Sequence, residues 1–184
     1  MKFRSLVVAF ASALLVGMTA CAPPTTTPTE TSTVDVTFGP DQGTTRELPR
    51  CDGVAQTFTA GRSGQLDKVS LHVSRSGPVR VQVLVEITTL DGMGHPTANV
   101  LGSGTYDLLT AGLIDIELDV AAPVVAGTGY AMTVRDPTFC MDGGLALGAV
   151  PSTYDGGQQL VTSGDPVTWS SVDDSELVFR TWVR

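Results

Sequence analysis

Histidine, cysteine and lysine are scarce in this chain, and each scarcity excludes something. The 184 residues hold two His, His72 and His95, and neither sits beside a Ser or Cys in a nucleophile motif such as Gly-x-Ser-x-Gly. His72 falls on the polar side of a strand pattern and His95 in a turn before Pro96, so both read as ordinary surface residues. Three Cys, at 21, 51 and 140, are too few for a thiolate metal centre. The sequence therefore predicts no catalytic residue, no resident metal and no cofactor. Past residue 33 there is no sustained helical period and no apolar run near the about 20 residues that cross a bilayer. Basic charge is also thin. Without Lys2 and Arg4 of the leader, nine basic residues face 19 acidic ones, a net charge of −10. That balance excludes nucleic acid as a partner, and docking by charge on anionic lipid.

What the chain does have begins at its first residues. Lys2 and Arg4 precede an uncharged apolar run, Leu6 to Met18, closed by the small residues Thr19 and Ala20. A basic start, a short apolar run and a small-residue exit describe a secretory signal peptide. Met18-Thr19-Ala20-Cys21 resembles the lipobox of bacterial lipoproteins, with Met18 standing where Leu is usual. The resemblance implies a diacylglyceryl group on the Cys21 sulfur, a cut before Cys21 and acylation of the new amine by a chain such as palmitate. The protein would then sit on the outer face of the bacterial cytoplasmic membrane or at the cell surface. The competing reading is ordinary cleavage after Ala22, with Ala20-Cys21-Ala22 as the small-residue site. One acyl chain binds a membrane marginally, whereas two or three on one Cys hold it.

Three segments follow. Residues 1–20 are the signal peptide, 21–33 the lipidated Cys and a Pro/Thr-rich tether, and 34–184 a single folded domain. The tether has too little apolar surface to order itself. Extended at about 3.1 Å per residue, its dozen residues reach roughly 35–40 Å, as a plain spacer or as one carrying O-glycans. With lipid on Cys21, Cys51 and Cys140 remain to pair in an exported, disulfide-permissive compartment. The loop of about 90 residues would contribute roughly 4–5 kcal/mol. Two free buried thiols are the alternative.

Within the domain, short alternating runs are split by Gly, Pro and Asp, the pattern of an all-β sandwich or barrel. Val79, Val81, Val83, Val85 and Ile87 share one face, and Arg80, Gln82, Leu84, Glu86 and Thr88 the other. Such alternation fits a strand with one face in the core and one wet. Shorter runs predict strands at Val34–Phe38, Val54–Thr59, around Val69–Val73, Val100–Leu108, Ile114–Leu118, Tyr130–Val134, Leu145–Val150, Val167–Trp169 and Leu177–Val183. Nine or ten strands in two packed sheets predict a jelly-roll-like β-sandwich, with an immunoglobulin-like arrangement second. No Trp lies between Cys51 and Cys140, as true immunoglobulin domains require.

Val54-Ala55-Gln56-Thr57-Phe58-Thr59-Ala60-Gly61, with Leu66 and Val69-Ser70-Leu71, resembles the opening of jelly-roll modules of bacterial secreted and surface proteins. Gly94-His95-Pro96-Thr97, Ala126-Gly127-Thr128-Gly129-Tyr130-Ala131, Tyr154 with Gly156-Gly157, Trp169 and Phe179-Arg180-Thr181-Trp182-Val183 extend the resemblance to residue 183. It implies a β-sandwich shaped like carbohydrate-binding modules and carries over no catalytic residue.

Acids abound in predicted turns, at Asp41, Asp91, Asp142, Asp155, Asp165, Asp173 and Asp174. Asp is a common turn former, so this surplus identifies no glycosidase pair. Calcium in one of these loops is a candidate, although no spacing resembles an EF-hand. Tyr154 and Trp169 are the candidate ligand platform, with Tyr106 and Trp182 behind them. The competing reading puts such rings in the core, as large aromatics usually are, and assigns Trp169 there. The function this predicts is a binding or adhesive module at the cell envelope, for glycan or protein. A structural or accessory lipoprotein without a small ligand is the alternative, and a hydrolase comes third.

Overall fold

The computed structural model describes residues 30–40, 44–47, 53–75, 81–137, 145–163 and 168–184. Cys21, Cys51, Cys140, the expected signal peptide and most of the expected tether lie outside the described residues, as do Val79 and Arg80.

Among the described residues there are thirteen strands and no helix. They are β1 (Thr33–Phe38), β2 (Thr44–Glu47), β3 (Val54–Thr59), β4 (Gly64–Arg75), β5 (Val81–Leu90), β6 (Pro96–Leu108) and β7 (Gly112–Val124). Then come β8 (Gly129–Arg135), β9 (Leu145–Val150), β10 (Gln159–Ser163), β11 (Thr168–Ser171), β12 (Glu176–Leu177) and β13 (Phe179–Val183). The strand predicted over Leu177–Val183 is split, its start pairing with β9 as β12 and the rest with β1 and β4 as β13. Two others escape the sequence pattern. Thr44–Glu47 lies in what reads as a polar loop but is paired along its backbone with β9. Gln159–Ser163 lies in a Gly- and Asp-rich region but lies between β3 and β11.

β5 follows the alternation. Val81, Val83, Val85 and Ile87 are at most 1% exposed, whereas Gln82, Leu84 and Glu86 are half-buried on the other face. Each such burial contributes about 1.5–3 kcal/mol. β4 does the same with Val69, Leu71 and Val73.

Where two separate sheets are expected, the strands form one antiparallel ladder in the order β1-β13-β4-β7-β6-β5-β8-β3-β10-β11, with β9 branching from β4 and pairing in turn with β2 and β12. Its narrowest join is β6 to β7, linked by the single pair Ser103↔Val120. Gly102 and Gly104 flank that pair. A Cβ on Gly104 would stand 2.4 Å from the Glu117 carbonyl oxygen, and one on Gly102 2.5 Å from that of Val120. Only residues without side chains let the two backbones pass so closely.

The ladder has two arms, one on either side of this join. Phe58 of β3 and Phe179 of β13 are far apart in strand order, yet their ring centroids are 6.3 Å apart. Both belong to one buried cluster that also takes Val85, Ile87, Leu71 and Ile116. One core therefore serves both arms, and the residues that alternate with it along each strand lie on that arm's outer face.

The chain enters the fold firmly. Ser32 donates to Asp67 at 2.6 Å, and Arg184 pairs with the same carboxylate at 3.2 Å. The Gly61 N–H donates to Asp35, which also pairs with Arg62. These contacts gather Thr33, the Gly61–Gly64 turn and Val183 at one pole.

Candidate functional site

The outer face of the β5–β8 arm carries a cleft of about 860 Å³. That lies within the range of about 300–1,000 Å³ typical of small-ligand sites. β5 and β8 make its floor, paired at Glu86↔Thr133 and Leu84↔Arg135. Strand alternation points the side chains of Glu86, Thr133 and Arg135 outward, opposite the buried Val85 and Val134. Arg135 Nη2 lies 3.5 Å from Glu86 Oε2, and both remain partly open to solvent. Thr88 also lines the cleft. It is 3% exposed, and its hydroxyl has no hydrogen-bond partner among the described residues. A buried polar group without a partner costs about 1–3 kcal/mol.

Two hairpins wall the floor. One contains the Asp91–His95 turn. The backbone N–H groups of Met93 and His95 donate to Asp91 Oδ1 at 2.8 and 2.9 Å, and Asp91 and His95 close the turn through their backbones at 2.9 Å. The His95 N–H, seconded by that of Met93, holds the Asp91 carboxyl below its ordinary 3.8. Gly94, at φ +82, takes a left-handed conformation that a side chain would strain. The other wall is the β10–β11 hairpin, where Trp169 pairs with Thr162. The Thr162 N–H donates to the Gly53 carbonyl at 3.0 Å, and Thr162 Oγ1 accepts the Gly53 N–H at 3.3 Å. Gly53 also lies against the indole, where a Cβ would stand in ordinary contact at 3.9 Å.

The lining chemistry is distinctive. Thr88, Thr97, Thr133, Thr162 and Thr168 all contribute to it. A threonine hydroxyl both donates and accepts, and so suits partners that do both. Apolar surface stands around them at Trp169, Met93 (74% exposed) and Val100 (45% exposed).

The sequence places two rings together as a platform, and the structure separates them. Trp169 lines the cleft half-buried, outside the core where the competing reading put it. Tyr154 is not among the lining residues. It packs 5.1 Å from Phe38 and edge-on at 5.6 Å to Phe179, and burial raises its hydroxyl above the ordinary 10.0. Trp182 lies on the opposite outer face. Its Nε1 donates to Ser70 Oγ at 3.0 Å, Ser70 donates to Asp115 at 2.6 Å, and Lys68 covers the ring at 3.8 Å. Tyr106 is partly buried against the core beside Val83.

His95 stands in the cleft wall, and His72 is half-buried over Gly148, with Nδ1 lacking a partner among the described residues. Of the turn acids, Asp91 belongs to the cleft, and Asp41, Asp142 and Asp165 lie outside the described residues. No group of three or more His, Cys, Asp or Glu able to hold a metal occurs among the described residues.

Sequence reasoning missed Glu176. It is 2% exposed, accepts hydrogen bonds from Gln56 Nε2 and from Ser152 Oγ at 3.2 Å, and burial pushes its carboxyl above the ordinary 4.5. Gln56 completes the link by accepting the Leu177 N–H at 2.9 Å. Glu176 does not line the cleft.

Compared with known proteins, the chain matches no family model, and a search of curated proteins finds no match.

Proposed function

We propose that this protein is a lipid-anchored binding module of the bacterial cell envelope, with the Trp169 cleft as its ligand site and glycan as its ligand class. The observation that carries the reading is the cleft itself. It sets the half-buried indole of Trp169 among threonines of its floor and both walls. A sugar ring offers an apolar C–H face and an edge of hydroxyls that donate and accept, and this lining complements both. Hydrolysis finds less support. A glycosidase acid must hold its proton, whereas Asp91 is pushed the other way and Glu176 lies away from the cleft. The exposed Met93 and Val100 favour a second reading, in which the same face meets a protein in an accessory lipoprotein.

The doubled ladder is read as a jelly-roll-like sandwich, supported by the single core between its arms. The placement rests on Cys21 and the lipobox-like residues before it. Among the described residues, no helix is long and apolar enough to cross a membrane. The Cys51–Cys140 disulfide rests on the sequence alone, as the pair left over once Cys21 carries lipid.

A glycan array tests the ligand class. The purified protein binds at least one glycan, Trp169→Ala abolishes that binding, and Tyr154→Ala spares it wherever the variant stays folded. Binding indifferent to Trp169 refutes the site. Mass spectrometry of native protein checks the anchor, through a diacylglyceryl mass on Cys21.

A further inference from the structure

Resting on the cleft being a glycan site, we propose that the Glu86–Arg135 pair is its specificity-determining reader, selecting uncharged sugars with adjacent hydroxyls over acidic ones. The pair lies on the floor of the Trp169 cleft, its charges 3.5 Å apart. A guanidinium carries five N–H donors, and this one has a single partner among the described residues. Arg135 is half open to solvent, and a quarter of the Glu86 side chain is exposed. Together they present donors and a carboxylate acceptor side by side. Two neighbouring hydroxyls of one sugar ring can accept from the first and donate to the second in a single pose.

The charge balance then decides which sugars fit. Glu86 cancels Arg135, and Asp91 adds a further negative charge at the wall. A uronate or phosphate group brought here meets no unopposed cation. The net −10 of the mature chain adds long-range repulsion of anions. A neutral sugar pays neither cost.

The test is calorimetric titration of purified full-length protein with cellohexaose, maltohexaose, xylohexaose and hexagalacturonate. At least one neutral hexamer binds, and the uronate binds about tenfold or more weakly. Glu86→Gln and Arg135→Gln each weaken the neutral ligand about tenfold, with thermal midpoints close to wild type. Glu86→Gln, which frees Arg135, strengthens uronate binding. A simple packing role for the pair would not move that readout. Wild-type preference for the uronate, or a Glu86→Gln protein unchanged toward both classes, overturns the selectivity and leaves the glycan site standing. No binding to any of the four probes overturns both.

Discussion

The two tryptophans stand on opposite outer faces of one doubled ladder, and their surroundings differ in every respect. Trp182 is closed off. Its N–H is bound by Ser70, its face is covered by Lys68, and Asp115 ties both partners together at 2.6 and 3.3 Å. Trp169 is open. Among the described residues its indole has neither a hydrogen-bond nor a ring partner, and it stands over Gly53 at the rim of a cleft. At Trp182 the indole N–H and the ring face are both engaged within the fold. At Trp169 neither is engaged by a described residue, which leaves the ring for a ligand under the proposed function.

The largest perturbation tests whether the two faces share a core. Val83, fully buried, becomes an unpaired buried charge in Val83→Asp, costing on the order of 5 kcal/mol, and cooperative melting is lost. Gln82→Asp on the outer side shifts the melt by under about 1 kcal/mol. Equal effects would mean the faces are misassigned. Next come the tryptophans themselves. Trp182→Ala lowers stability by about 2–3 kcal/mol in urea titration, while Trp169→Ala costs roughly 1 kcal/mol or less. The reverse order would break the contrast.

A smaller effect concerns pH. Burial raises the folded-state carboxyl of Glu176 above its ordinary 4.5. Its contribution is thus fully present below pH 4.5 and is lost as pH rises through the folded value. Glu176→Gln keeps the shape without the charge. It should raise the midpoint by a few degrees at pH 7, on the order of 1 kcal/mol, and change nothing below pH 4.5. The smallest effect is Lys68→Gln, at about 0.5–1 kcal/mol and weakening with added salt, which measures what closing the Trp182 face is worth.

Much of the body was legible because β5 and β4 carry their inward residues at a strict period of two. The site was less so. Nothing near Trp169 or Trp182 in sequence says which will be covered. That depends on Lys68 and Ser70 lying across the ladder from Trp182, and on Gly53 lying beneath Trp169. Glu176 reads as an ordinary surface acid because its partner Gln56 is 120 residues away. The strand predicted over Val100–Leu108 gives no sign that Gly102 and Gly104 are where two backbones pass in near contact.

The pairing of β1 with β13 has a mechanical consequence. Thr33 faces Val183, and β1 then runs away from that pole to Phe38. In the proposed anchored state, a pull on the tether would enter the domain through β1. The component of that load along the strand would fall on all the β1–β13 bonds at once, as shear, and not on one bond at a time, as in unzipping.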